Sequence, residues 1–338
     1  MKFDVIVGNP PYQELTRDTS DNPIYHYFYD LGFEISNKVL LISPARFLFN
    51  AGKTPKNWNK KMLDDENLKV VYYEQKSSKV FPLTDIKGGV AVLYRDKEKK
   101  LGPIGIFTVY NELNDIIKKV TDVKEFKSIK DLIILQNRFN LDALYEDFPS
   151  YKSIVGSNGK ERRLTTPIFT QLDIFTEGKR ENNDVKIYGL INNKRTYRWV
   201  NRKYLEEHDN IDKYKVLVPK SNGSGVLGEV LSSPIVAEPG LGFTFTFISF
   251  GAFNNQIEAN NLLKYIKTKF ARLMLGVLKI TQDNLARTWS YVPLQDFTNK
   301  SDIDWSKSIP EIDQQLYKKY NLSDKEINFI EEKVKAME

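Results

Sequence analysis

Apolar and polar positions alternate along this chain in two textures. Phe3 to Val7 (FDVIV) has the composition of a strand and ends at Gly8, because Asn9-Pro10-Pro11 cannot continue a ladder. Ile24 to Ile35 places Tyr27, Leu31 and Ile35 at helical spacing, and Lys38 to Ser43 (KVLLIS) reads as an apolar strand. Trp58 to Leu63 reads as a short helix, and Leu68 to Tyr73 and Gly89 to Tyr94 as two more strands. Strands alternating with helices predict an α/β sheet buried on both faces. Tyr110 to Val120 reads as a connecting helix, and Ile129 to Leu135 as a mixed apolar segment.

From about residue 151 the texture changes. Short β-type runs lie between Gly, Asn and Ser clusters: Val185 to Ile191, Lys215 to Pro219, Ile235 to Ala237 and Phe243 to Phe250. SNGSGVLG (221–228) reads as a flexible loop. One long helix follows, with Leu262, Ile266, Phe270, Met274 and Val277 on one face and Asn255 with Glu258 as a capping pair at its start. Ser308 with Glu311, and Ser323 with Glu326, have the S-x-x-E spacing that starts a helix, and Ile327, Ile330 and Val334 give the last helix an apolar face.

Composition narrows what this pattern can do. The 338 residues are enough for two domains, each with its own core. Cysteine is absent and only His26 and His208 supply imidazole, so disulfides, thiolate metal sites and histidine-rich metal centres are excluded. No metal is expected. No uncharged apolar run reaches the roughly 18 residues of a membrane helix, and the first residues lack the order of a secretory signal, so we expect a cytoplasmic protein without a membrane partner. Net charge is +6, and it is uneven: +3 over residues 1–100, +6 over 101–290 and −3 over 291–338. The basic middle is what a nucleic-acid partner requires, although many solvated surfaces share such a balance.

The sharpest chemical signal is FDVIVGNPPYQ (Phe3 to Gln13), an apolar strand running into Asn9-Pro10-Pro11-Tyr12. Ligands of open α/β sheets bind at the carboxyl ends of strands, where this tetrapeptide falls. Two prolines fix φ and remove two donors, leaving a stiff loop rich in acceptors. Such a loop fits methylation of an exocyclic amine, whose lone pair is delocalised into its ring. The Asn9 side-chain oxygen and the Pro10 carbonyl can accept its N–H groups and favour the positive charge that develops on nitrogen. Tyr12 offers a face for stacking. A plain turn after a strand would use the same dipeptides. Glu74-x-Lys76 after Asp64 and Asp65 loosely imitates a nuclease pattern; we read it as coincidence and expect no nuclease domain here.

With these residues in view, the chain resembles the S-adenosylmethionine-dependent adenine-N6 DNA methyltransferase part of type IIG restriction–modification enzymes, from the N-P-P-Y motif through the target-recognition domain. Asn9, Pro10, Pro11 and Tyr12 match the family's catalytic tetrapeptide, which holds a flipped base. KVLLISPARFLF (38–49) resembles the next core strand and its loop, and KVFPLTDIKGGVAVLYRDK (79–97) a later motif that ends in an antiparallel strand. Phe81 matches the aromatic on the other face of the base, so that Tyr12 and Phe81 would sandwich adenine; the plain alternative is a core residue. KYKVLVPKSNGSG (213–225), PGLGFTFTFISFGAF and the tail with DNLARTWSYVPLQDF resemble the recognition domain.

The resemblance implies a partial Rossmann-like methyltransferase sheet, later strands only, followed by an α+β target-recognition domain and a C-terminal helical tail. The expected divisions are 1–105, the C-terminal half of the catalytic domain; 106–150, a connecting helical segment; 151–290, target recognition; and 291–338, the tail. The family's glycine-rich donor motif and ribose-binding acid lie many tens of residues before N-P-P-Y, and only eight residues precede Asn9 here. The expectation is therefore a site for S-adenosylmethionine that is only partly present, a missing N-terminal half or subunit as partner, and an unpaired apolar edge at Phe3 to Val7.

Double-stranded DNA is the expected second partner. Lys186, Lys194, Arg195, Arg198, Arg202 and Lys203 fall in one acid-free stretch, interleaved with Tyr188, Tyr197 and Trp199, a mixture suited to phosphates and bases as well as to a solvated hairpin. Lys220, Asn222 and Ser224 in the loop are further candidates for DNA contact. Other readings stay open: a non-catalytic DNA-recognition subunit, an RNA or protein-glutamine amino methyltransferase, or cytosine N4 as the methylated position.

Overall fold

The computed structural model describes residues 3–14, 22–86, 88–155, 161–279 and 282–337. It is a mixed α/β structure with several sheets, and it divides into two compact units, 1–114 and 115–338.

In the first unit the strands are β1 (Phe3–Gly8), the short pair β2 (Gln13–Glu14) and β3 (Asn22–Pro23), β4 (Ser36–Pro44), β5 (Leu68–Glu74) and β6 (Val90–Asp96). Helix α1 (Tyr25–Ile35) precedes β4, and α2 (Lys56–Asp64) precedes β5. The main sheet has the order β1-β4-β6-β5, with β1 parallel to β4 and β6 antiparallel to both of its neighbours. The apolar runs set this arrangement. Alternate residues Val39 and Leu41 of β4, with Leu93 of β6, are buried against Tyr25, Tyr29, Trp58 and Met62 of the two helices. Each such side chain contributes roughly 1.5–3 kcal/mol on burial. The Tyr29 hydroxyl lies 3.0 Å from Ser43 Oγ inside this core, so its polar end is satisfied.

The opposite face of the sheet departs from the expectation of burial on both sides. Leu40, Ile42, Val92 and Tyr94 stay only partly buried, while Val5 and Val7 are 53% and 70% exposed. The pattern of KVLLIS could not reveal this, because a half-covered strand of β-branched residues and leucine has the same composition as a fully covered one.

Helix α3 (Asn111–Thr121) spans the division between the units. The second unit then contains β7 (Ile133–Ile134), α4 (Leu141–Asp147), α5 (Ile168–Gln171), β8 (Asp184–Ile191), β9 (Lys194–Asn201), β10 (Tyr214–Pro219), β11 (Ile235–Ala237), β12 (Leu241–Phe243) and β13 (Phe247–Phe253). Helices α6 (Gln256–Lys267), α7 (Lys269–Gly276), α8 (Ile309–Lys319) and α9 (Asp324–Lys333) complete it. One sheet runs β11-β10-β13-β7 and another β12-β8-β9. The β8–β9 hairpin turns on Asn192 and Asn193, both with positive φ, the geometry that matches strand twist in a two-residue loop. No helix among the described residues is long and apolar enough to cross a membrane.

Three local expectations are corrected. The run Phe243 to Phe250 is two strands: β12 pairs with β8, β13 pairs with β10, and Thr244 to Thr246 form the corner between the two sheets. The single helix through Val277 is broken at Thr268, whose ψ of 151° is extended and whose Oγ1 accepts the Ala271 N–H at 3.1 Å as the cap of a new helix. The loop at 221–228 is tied down. Asn222 is 3% exposed, its Nδ2 donates to Val230 O at 3.0 Å, and Glu229 accepts the Ser224 N–H at 2.8 Å while pairing with Lys279. The capping pairs at Asn255, Ser308 and Ser323 are all present.

Candidate active site

β1 ends at Gly8, and the chain turns through Asn9-Pro10-Pro11 at the carboxyl edge of the sheet, beside the end of the parallel neighbour β4. Pro10 is buried and Asn9 and Pro11 are exposed. The segment after them is fastened by the Ile24 N–H donating to Tyr12 O at 3.1 Å and by the β2–β3 pair. The stiff loop thus has hydrogen-bonded structure on both sides.

Asn9, Pro11 and Tyr12 open into a cavity of about 850 Å³, within the range of small-molecule sites. Its other walls include Tyr25, Pro44, Arg46, Lys53, Phe81 and Asp85. Tyr12 and Phe81 are brought together: their ring centroids lie 6.4 Å apart with planes at 65°. A flat base between them would need the planes parallel and about 7 Å apart, two stacking contacts of about 3.5 Å. The pair is therefore an edge-to-face contact here, and its planes would have to close an angle of 65° to form a slot. Burial raises the Tyr12 phenol's pKa, and the adjacent Asn9 side chain offsets part of the shift without reaching the geometry of a full hydrogen bond.

Phe81 is held by its own loop. Its N–H donates to Ser77 O at 2.8 Å, and Ser77 Oγ donates to Thr84 O at 3.0 Å while accepting the Ile86 N–H at 2.8 Å. The buried Ser77 hydroxyl closes the loop that carries Phe81, Thr84 and Asp85 to the cavity. Arg46, which follows β4, is clamped along its aliphatic stem. A Cβ at Gly88 would come within 2.8 Å of Arg46 Cγ, and one at Gly52 within 3.3 Å of Arg46 Cβ; both glycines have positive φ. Sequence reasoning gave roles to neither Ser77 nor Arg46. The available signal for Arg46 was a cation immediately after an apolar strand, in KVLLISPARFLF.

A second cavity of about 380 Å³ shares Asn9 and Pro11 with the first and is lined by Ile6, Pro10, Phe28, Leu31, Ile35 and Leu41. Apart from Asn9 that lining is apolar, with no carboxylate for a ribose diol and no cation for a carboxylate. It fits one apolar wall of a methyl-donor site and does not fit a whole one.

The DNA candidates separate into two groups. Lys186, Trp199, Tyr188, Tyr197 and Arg195 share one face of the β8–β9 hairpin through the pairs Lys186↔Trp199, Tyr188↔Tyr197 and Leu190↔Arg195. Lys186 Nζ lies 5.2 Å from the Trp199 ring centroid and 5.9 Å from that of Tyr197. Lys194 is exposed at the turn. Arg195, although on that face, and the remaining candidates have partners within the fold. Arg195 donates at 2.6 Å to the carbonyls of both Ser232 and Ser233, and Arg198 pairs with Glu177 at 3.0 Å. Arg202 makes a two-pronged pair with Asp212 at 2.9 and 2.6 Å, and Lys203 pairs with Asp147. Lys220 sits 3.1 Å over the Phe245 ring, and the Asn222 amide is committed to its own loop.

Comparison with known proteins agrees with the resemblance drawn from the sequence. Residues 1–81 match the family described as Eco57I restriction-modification methylase. Over 95 residues, 27% of this chain and 22% of the relative, the chain is 34% identical to an uncharacterized adenine-specific methylase of Mycoplasma pneumoniae. Among solved structures it is similar to the type IIG restriction endonuclease BpuSI, with a TM-score of 0.36 and 12% identity over 93% of this chain and 48% of that one. It is also similar to the type IIL restriction–modification enzyme MmeI in complex with DNA, with a TM-score of 0.42 and 11% identity over 98% and 56%. Structural likenesses of that size carry no functional weight. The chain spans less than two thirds of each of these relatives.

Proposed function

We propose that this chain, whose residues 1–81 match a restriction–modification methylase family, is part of a DNA methyltransferase acting on adenine N6. The observation that carries the proposal is the stiff Asn9–Tyr12 elbow at the end of a sheet strand, opening into a cavity that Phe81 also walls. In this reading the target adenine leaves the DNA stack and enters that cavity. The Tyr12 and Phe81 rings turn to take it between them, and stacked aromatic pairs contribute about 0.5–1.5 kcal/mol each. Asn9 Oδ1 and the Pro10 carbonyl accept hydrogen bonds from the exocyclic amine. Both bonds strengthen as the nitrogen becomes positive, which is when stabilisation lowers the barrier. Arg46 and Lys53 supply positive charge at the same cavity, suited to the phosphates that flank an extruded nucleotide.

The methyl donor of such enzymes is S-adenosylmethionine. The apolar cavity beside Asn9 would form one wall for it, and the remaining contacts must come from a further segment or subunit. The sheet β1-β4-β6-β5 would then be the later part of a Rossmann-like methyltransferase sheet, in residues 1–105. Residues 106–150 would connect it to target recognition in 151–290, with 291–338 as the tail. The basic face around Lys186 and Lys194 supports DNA as partner.

The test is expression of the gene, alone and with its genomic neighbours, in a host lacking adenine methylation, followed by single-molecule sequencing of the host DNA. The expected result is N6-methyladenine at one short sequence, erased by Asn9→Ala. Host DNA without methyladenine in both arms would end this reading.

A further inference from the structure

Three segments of the second unit converge on the Phe245 side chain. The Phe245 N–H donates to Leu164 O at 2.8 Å, and the Lys220 N–H donates to Thr246 O at 2.8 Å, so residues 163–166, the end of β10 and the corner between β12 and β13 are fixed together. Lys220 Nζ lies 3.1 Å from the Phe245 ring centroid, and the Arg163 guanidinium carbon lies 5.4 Å from it. Two cations gathered on one ring repel each other; burial first, and Arg163 after it, pull the Lys220 ammonium below its usual pKa. Asp283 acts the other way. The neighbouring Arg162 is already paired with Glu206.

A hydroxyl relay ends at the same place. Thr244 Oγ1 donates to Thr246 Oγ1 at 3.1 Å, and Thr246 Oγ1 lies 3.1 Å from Thr166 Oγ1. With Thr244 donating to Thr246, Thr246 can in turn donate its O–H to Thr166. In that arrangement the O–H of the exposed Thr166 is available to a ligand. Guanidinium, ammonium and this hydroxyl are all donors, which selects an acceptor-only anion. Lys220 already occupies one face of the ring, so that face cannot stack a base.

We propose that Arg163, Lys220 and Thr166, gathered about Phe245, bind a phosphodiester of the DNA backbone. This rests on the reading of DNA as partner, and it adds to that reading a contact that positions the duplex without reading its sequence.

The test is fluorescence anisotropy of the full chain with two labelled duplexes of unrelated sequence, over a range of KCl concentrations. Arg163→Gln with Lys220→Gln is compared with Lys300→Gln and Lys318→Gln, two exposed lysines of the tail that match the lost charge. The first pair should weaken binding about tenfold on both duplexes and reduce the slope of log affinity against log salt by about 1. The control pair should leave the slope unchanged. Arg163→Lys with Lys220→Arg should restore affinity. Thr166→Val, which keeps every charge, should lose about threefold with the slope intact. Circular dichroism checks that each variant is folded, and if the glutamine pair is not, the Thr166→Val and charge-retaining variants decide. Equal behaviour of the glutamine pair and the control pair, or full affinity in Thr166→Val, would overturn the site. In that case steep salt dependence in the unaltered chain would leave DNA as partner intact. Absence of any salt-dependent binding by the unaltered chain would overturn both.

Discussion

Arg46 illustrates how a single side chain acquires a place it could not claim from sequence. Its stem is gripped by glycines whose lack of Cβ allows the close approach, and Gly88 has a φ of +89° that few other residues adopt. Gly88→Ala should therefore cost about 1–2 kcal/mol, from backbone strain and from displacing Arg46. A lower midpoint in urea together with weaker binding of DNA carrying 2-aminopurine at the target position would show it; a variant equal to the original in both would refute the clamp. Ser77→Ala should act differently, because it leaves Thr84 O and the Ile86 N–H without their partner. We expect a loss of about 1–2 kcal/mol and a slower methyl transfer as the Phe81 loop loosens. Transfer kinetics that match the original protein would assign Ser77 to stability alone. The placement of Asn9, Pro10, Pro11 and Tyr12 at the end of a strand was legible in advance because strand, prolines and aromatic are consecutive. Arg46 was not, since the glycine that presses on it lies forty-two positions further on.

At the level of elements, most strands and capped helices were legible from period and composition, and two of the misreadings share one cause. The 256–277 helix keeps its apolar spacing through Thr268, yet the side chain of Thr268 caps a new helix and Asp313 of α8 accepts the N–H groups of Lys269 at 3.0 Å and Phe270 at 2.9 Å. The 221–228 loop looks flexible by composition, and Glu229 and Lys279 hold it from fifty positions apart. In both cases a distant polar group overrides a local pattern. Asp313 gives this a measurable consequence. Burial holds its carboxyl up, from the usual 3.8 to about 6, and Glu331 adds to this while the two N–H groups and Arg272 oppose it. Between those values the folded chain keeps a proton that the unfolded chain has released. Stability must therefore fall as pH rises through that window, with the whole cost present above pH 6. Relative to Asp313→Asn, the original protein should lose about 2 kcal/mol of unfolding free energy between pH 4 and 7. Parallel pH profiles for the two proteins in urea titrations would exclude a buried, proton-retaining Asp313.

For the molecule as a whole, the sheet of the first unit carries an unresolved physical demand. Its helices cover one face, while β1 stands at the edge with Phe3, Val5 and Val7 exposed and a row of backbone groups on its outer side. Edges of that kind pair with whatever strand they meet, and natural proteins blunt them with charge, bulges or a covering segment. Asp4 is the only charge within β1, and it offers little protection between apolar neighbours. The same strand delivers Asn9 to the cavity, so the edge cannot be bulged or shortened without moving the site. We therefore expect the isolated chain to self-associate at micromolar concentration through this strand. Val5→Lys should suppress association, because a buried ammonium at the new interface would lack a partner. Leu278→Lys, at an exposed apolar position in the second unit, should not. Sedimentation velocity over a concentration series distinguishes these outcomes. A chain that remains monomeric throughout, or one in which both lysine variants act alike, would mean that the β1 edge is not what draws the copies together.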